Sequence, residues 1–370
     1  MATRDARRCP LAQGWLGPAL AWLAFAAAPA LGQTLHPGAA SVPGAGVVHL
    51  RIVGGLDGLN QYNRHEQPFW TRELPRFSGG RLNAEIVPFD RAGIRGQEML
   101  RLMRLGVVPY GTALLAQSVA EVPVAAAPDL AGLNPDIAAL RRSVAAFRPV
   151  LEDTLKRRYD IEVLAIYTYP AQVLFCKRAF NGLAGLAGRR IRVSSPTQSD
   201  LVQALGGKPV LAGFAEVMPQ MRSGNLDCAI TGTMSGNTIG LPLVTSHVHS
   251  MALSWGLAVF GANGTAWQAL APELQTLLRR ELQRMERAIW EESDRETGEG
   301  MACNTGEALC GDRPPGRMIE VRSTDDDERR RRDILAHSVL PRWVQRCGAS
   351  CAEVWNRTIG PTVGIMARQR

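Results

Sequence analysis

"GLAGLAGRRIRVSSPTQSDLVQALGGKPVLA", residues 182–212, carries the basic unit of the fold. Gly182, Gly185 and Gly188 lead into a short strand, Ile191-Arg192-Val193. A helix is predicted over 199–205, and "KPVLA" reads as the next strand. Strand, helix and strand in that order is the beat of an α/β sheet with parallel character. Arg192 is the irregular residue. Its neighbours in the strand are apolar, and an unpaired buried ion costs on the order of several kcal/mol, so this guanidinium requires a partner.

The same beat runs through the rest of the chain. "VVHLRIVGG" reads as a buried strand closing in a glycine turn, followed by a helix from about His65 to Phe77 with Phe69, Trp70 and Leu74 at helical spacing. "SGGRLNAEIVPF" then gives a turn and a strand, "RGQEMLRLMRLG" an amphipathic helix, and "VVPYGTALL" another strand. Further on come a helix over 135–158, the strand "IEVLAIYTY", a helix over 215–223, and the strands "DCAIT" and "SWGLAVFG". A long helix starts at Pro272, with Leu274, Leu278, Leu282, Met285 and Ile289 on one face.

A chain of 370 residues suits two domains of roughly 100–200 residues each. With 46% hydrophobic and 21% charged residues, the composition is that of a globular protein and excludes a disordered or membrane-embedded one. The N-terminus differs from the rest. Arg4, Arg7 and Arg8 precede the apolar "GPALAWLAFAAAPALG", a pattern that predicts a cleavable signal peptide over 1–32 and a linker over 33–45, with an uncleaved N-terminal anchor as the alternative. Loss of 1–32 removes three arginines and one aspartate, lowering the formal charge from +8 to +6. The densest charge block, "STDDDERRRRD", neutralises itself. Its acids precede its bases by four residues behind a Ser323 or Thr324 cap, which predicts a solvated helix start and argues against nucleic acid as a partner.

Six cysteines remain after cleavage, and export favours their oxidation. Cys303 with Cys310 and Cys347 with Cys351 are expected as local disulfides, with zinc the rival reading that the Cys347-x3-Cys351 spacing alone would allow. The single "GGK" is followed by Pro209, which rules out a phosphate-binding loop, and "GTMSG" places Ser235 one residue late for a nucleophile elbow. His247 and His249 alternate on one strand without a third ligand nearby, so no metal site is expected.

In order and content these pieces resemble the periplasmic solute-binding subunits of tripartite ATP-independent (TRAP) transporters, of the dicarboxylate-binding (DctP) type. The resemblance is carried by "FWTRELPRFSGGRLNAEIVPFDRAGIRGQEMLRLMRLGVV" and, more specifically, by "KRAFNGLAGLAGRRIRVSSPTQSDLVQALGGKPVLAGFAEVMPQMRSGNLDCA". It extends from about residue 48 to about residue 295. The resemblance implies two α/β domains closing over an organic acid whose carboxylate is gripped by the arginine of the "IRV" strand, Arg192. A guanidinium suits that role, because it offers two parallel donors where a lysine offers a point charge. A salt bridge to an internal carboxylate such as Glu216 is the structural alternative. By motif match Arg178 is the family's basic residue before the strand and Glu216 the glutamate at a helix start. Gln172 stands where some members carry a second carboxylate-binding arginine, and Thr231 where several carry asparagine. Asn60, Gln61 and Tyr62, in the loop after the first strand, are expected to face the cleft.

The resulting expectation is an α/β periplasmic-binding-protein architecture with a hinge. Domain I spans 46–171 with a return segment at 251–271, and domain II spans 172–250. A bracing helix covers 272–297 and a disulfide-clipped helical appendage 298–370. Hinges are expected near Tyr169 and near His247. The expected function is periplasmic capture of an organic acid and delivery to membrane permease subunits, with no cofactor and no catalysis. Two alternatives stand beside it: a carboxylate-binding partner of a sensor, and an enzyme using the same cleft.

Overall fold

The computed structural model describes residues 46–311 and 313–368. The predicted signal peptide and linker lie outside the described residues. The strands are β1 (Val48–Gly54), β2 (Leu82–Pro88), β3 (Tyr110–Leu114), β4 (Ile161–Thr168), β5 (Gln172–Cys176), β6 (Arg190–Val193), β7 (Lys208–Leu211), β8 (Cys228–Gly232), β9 (His247–His249), β10 (Leu257–Asn263) and β11 (Ile319–Val321). They form two sheets, in the orders β2-β1-β3-β10-β4 and β11-β9-β5-β8-β6-β7.

The parallel character expected from the alternating pattern holds within each half of the chain. β1 is parallel to β2 and β3, and β6 is parallel to β7 and β8. Antiparallel pairing enters where the chain changes sheet. Only residues 169–171 separate β4 from β5, too few for the crossover a parallel partner needs, so the chain leaves one sheet and starts the other. β5 then runs antiparallel to β8 and β9, and the returning β10 runs antiparallel to β3 and β4. The second crossing does not lie at His247. That residue is inside β9, paired with β5 and β11, and the chain recrosses through 250–256.

Two helices show how local chemistry sets their limits. The helix predicted over 135–158 covers Ile137–Tyr159 because Asp136 caps it, accepting from Ala139 N at 2.7 Å. The one predicted over 199–205 starts earlier, at Pro196. Ser195 Oγ accepts from Gln198 N at 3.2 Å, and Pro196 occupies the first helical turn, where its missing N–H is not needed.

The long helix buries the expected stripe of Leu274, Leu278, Leu282, Met285 and Ile289 but runs to Thr305 instead of ending at 297. Its last turns read as polar, yet Ser293, Glu296, Gly300 and Asn304 all face inward. Thr233 Oγ1 donates to Glu296 O at 3.1 Å and Asn304 Nδ2 donates to Thr233 O at 2.9 Å. Gly300 allows this contact: a Cβ there would sit 2.3 Å from Met234 N and 2.6 Å from Thr233 C. Alanine gains about 1 kcal/mol of helix propensity over glycine. Overpacking against backbone costs about 1–3 kcal/mol, so Gly300→Ala is expected to lower the melting temperature by a few degrees. A variant that melts at or above the parent temperature would contradict this packing.

The tail is not purely helical. Ile319–Val321 adds β11 to the edge of the second sheet, parallel to β9. The acidic block does start a helix, Asp325–Ile334, with Thr324 Oγ1 accepting from Asp327 N. Its ion pairs sit three residues apart, not four, as in Asp326–Arg329 and Glu328–Arg331. Nor is the block wholly solvated. Arg331 is buried and donates to Gly132 O, while Asp327 accepts from Leu183 N at 2.7 Å. Beyond it Trp343 Nε1 donates to Pro123 O at 2.8 Å, and Arg346 pairs with Asp200. Gly132 and Pro123 precede β4, whereas Leu183 and Asp200 follow β5, so the tail grips both halves. No helix among the described residues is long and apolar enough to cross a membrane.

A buried acid lies under the turn after β1. Glu66 accepts from Gly55 N at 2.6 Å, from Thr112 Oγ1 at 3.2 Å and from the Tyr167 hydroxyl. Burial pushes its carboxyl up to about 7 despite these donors. The unfolded chain releases that proton near 4.5, whereas the folded chain keeps it to about 7, so stability falls as pH rises through this window. Glu66→Gln keeps the acceptor and removes the charge. Near pH 8 it is expected to be about 2–3 kcal/mol more stable than the parent, with the difference vanishing near pH 5. Thermal melts across that range, finding no pH-dependent difference, would refute it.

Candidate functional site

The two sheets meet at a cavity of about 60 Å³, room for roughly four to six waters. Its walls come from the carboxyl ends of parallel strands, where open α/β sheets place their ligands. Leu56 and Leu59 follow β1, Leu114 and Ala116 close β3, and Arg192 and Ser194 end β6. Thr231 belongs to β8, Phe214 follows β7, and Tyr169 stands at the crossing. A smaller cavity of about 20 Å³ adjoins it, shares Gln172, Ser194, Gly256 and Leu257, and adds Asp129, Gln198 and Ser254.

Arg192 is 3% exposed. Its Nε donates to Ala212 O at 3.0 Å and its Nη1 to Ile230 O at 2.8 Å. Neutral carbonyls therefore fix the plane of the fork, and Nη2 has no partner among the described residues. Burial lowers the guanidinium to about 10, with Glu216 opposing from a distance, so it stays charged at neutral pH. No salt bridge among the described residues reaches it. The Glu216 ion pair held open as an alternative is absent. A charged, oriented, half-satisfied fork in a cavity has the geometry to take an anion.

Gln172 and Thr231 join Arg192 at the cavity. The Gln172 amide is largely engaged: Oε1 accepts from Gln198 Nε2 at 2.6 Å, and Nε2 donates to Trp255 O at 3.1 Å. Thr231 is a buried residue that lines the cavity. In the smaller cavity Asp129 accepts from Trp255 N at 3.0 Å and Gly256 N at 2.8 Å. Burial nevertheless pushes its carboxyl up to about 7.

Five expected site residues lie elsewhere. Arg178 is exposed beyond the far end of β5, about 20 Å along the chain from Gln172 at roughly 3.3 Å per residue. Glu216 is exposed and caps its own helical turn, accepting from Gly213 N at 2.7 Å. Asn60 and Gln61 turn away from the cleft and bond Glu296 of the long helix. Tyr62 is buried, with its hydroxyl 3.5 Å from Ile86 O. The apolar neighbours Leu56 and Leu59 take the cleft positions instead. Ser194 was missed although it lies two residues after Arg192, on the same strand face. Phe214 sits in a short turn with no periodic signal.

Cys303–Cys310 and Cys347–Cys351 are bonded, and a third disulfide, Cys176–Cys228, joins β5 to β8. Among the described residues no group of three or more histidine, cysteine or acidic side chains could hold a metal. His249 is buried between Met251 N, which donates to its Nδ1 at 3.0 Å, and Asp327.

The DctP family model, described as bacterial extracellular solute-binding protein, family 7, matches residues 64–304. A comparison with curated proteins finds no match. Among solved structures, a Bordetella pertussis extracytoplasmic solute receptor binding pyroglutamic acid superposes with a TM-score of 0.74 at 18% identity, covering 84% of this chain and 99% of that one. A TRAP periplasmic solute binding protein from Desulfovibrio salexigens with bound orotic acid gives 0.72 at 14%, covering 83% and 96%. One from Bordetella bronchiseptica with bound mandelate gives 0.70 at 15%, covering 85% and 96%. These similarities establish the shared two-lobed α/β fold.

Proposed function

The chain belongs to the bacterial extracellular solute-binding proteins of family 7, and from that premise we propose that it captures an organic acid by its carboxylate on Arg192 and hands it to a TRAP-type membrane permease. One observation carries the capture step: a buried guanidinium pinned by two backbone carbonyls, with no carboxylate of its own, facing a cavity. Pyroglutamate, orotate and mandelate, named for the similar structures, differ in ring and size but share a carboxylate. Export through the 1–32 signal peptide would deliver the chain to the periplasm, where the permease presents its outer face.

Micromolar affinity corresponds to about −8 kcal/mol, within reach of one two-pronged arginine contact, a few neutral hydrogen bonds and burial of an apolar body. Binding and release need no covalent step. The test is a thermal-shift screen of the chain from residue 33 against organic acids, sugar acids, keto acids and uncharged controls. A ligand at about 100 times its Kd stabilises by about 2.7 kcal/mol, an expected rise of about 4 °C. Stabilisation by uncharged compounds alone, or by none of the panel, would refute carboxylate capture.

A further inference from the structure

We propose that the cavity accepts an acid with a single carboxylate and rejects one with two. This specificity rests on the carboxylate-capture reading above and narrows it. Arg192 is the sole cationic side chain lining either cavity among the described residues. Gln172, a long polar side chain shared by both cavities, is neutral, and its amide is already bonded to Gln198 and Trp255. The one carboxyl in the walls among the described residues is Asp129, in the adjoining cavity, where its oxygens already accept from the Trp255 and Gly256 amides. A second carboxylate would therefore meet no counter-charge in either cavity, and beside Asp129 it would meet oxygens that are themselves acceptors.

The remaining walls point the same way. Leu56, Leu59, Leu114, Phe214 and Leu257 present hydrocarbon and a ring to the ligand body. Burying an ionised carboxylate against such groups without a paired cation is strongly unfavourable, whereas a methyl group or ring gains by leaving water. The hydroxyls of Ser194, Thr231 and Ser235 leave room for a neutral hydroxyl, carbonyl or amide on the ligand.

The test measures Kd by calorimetry on the exported chain with acids paired so that one terminal methyl or ring hydrogen becomes a second carboxylate. Suitable pairs are hydroxybutyrate with malate, oxovalerate with oxoglutarate, and mandelate with its ring-carboxylated analogue, plus a pair built likewise on any other acid the screen finds. In each pair that binds, the second carboxylate is expected to weaken binding more than about tenfold. A dicarboxylate that binds as well as its partner, within about tenfold, or that binds alone, overturns the single-carboxylate specificity and leaves carboxylate capture standing. If no acid binds at all, carboxylate capture itself is overturned, and this specificity with it.

Discussion

Arg192→Ala is expected to weaken binding of the captured acid by on the order of 1000-fold, because two charge-assisted hydrogen bonds of about 1.5–3 kcal/mol each disappear together. Arg192→Lys keeps the charge but not the fork and should fall between, at about 10- to 100-fold. The unliganded fold should survive either change. In the alanine variant the Ala212 and Ile230 carbonyls lose their donor, at about 1–3 kcal/mol each, while relief of a buried, uncompensated charge opposes that loss. The melting temperature without ligand should therefore move far less than the affinity. The guanidinium stays protonated to about 10, so the affinity of the parent chain should be flat from the titration of the ligand's own carboxyl up to that range, and fall above it. Calorimetry on the parent and both variants decides the matter. Alanine binding within about threefold of the parent would remove Arg192 from the site, since that ratio corresponds to well under 1 kcal/mol.

The glycine turn, the "IRV" strand and the following helix made the second lobe legible, because each is written locally in turn residues, β-branching and spacing. Arg192 was legible for a related reason, as a charge where burial forbids an unpartnered one. Residues whose roles depend on distant partners were not. Asn60 and Gln61 follow a strand and look cleft-facing, but their partner Glu296 lies more than two hundred residues away on a stretch of helix that reads as polar surface. Glu216 matched a family position, yet an exposed carboxylate three residues after a glycine is equally a helix cap, and capping is what it does. Arg178 was adjacent in sequence but separated by a full strand in space. Alternation along β6 could have found Ser194. Nothing in the sequence alone marks Phe214, which the fold carries to the cavity from a turn.

The two local disulfides form as expected, but the third was not legible for the same reason, and it leads to the second large effect. Close spacing suggested Cys303–Cys310 and Cys347–Cys351, but Cys176 and Cys228 stand 52 residues apart and become neighbours only when β5 pairs with β8 in register. The loop they close contains β6, β7 and the helix between them, and hence Arg192. By chain entropy, a loop of 52 residues is worth about 4 kcal/mol, against about 2 kcal/mol for the seven-residue separation of Cys303 and Cys310. The double variant Cys176→Ala, Cys228→Ala is accordingly expected to melt about 6 °C below the parent, roughly twice the drop of Cys303→Ala, Cys310→Ala. Both Cys176 and Cys228 are fully buried, so small cavities at the two positions add to the loss. Ligand affinity near the melting transition should suffer as well, because the unbridged loop carries the binding strand. Melting curves of the two double variants under oxidising conditions test the ranking. If removing Cys303–Cys310 costs as much as removing Cys176–Cys228, loop closure around the Arg192 strand is not what the buried disulfide contributes.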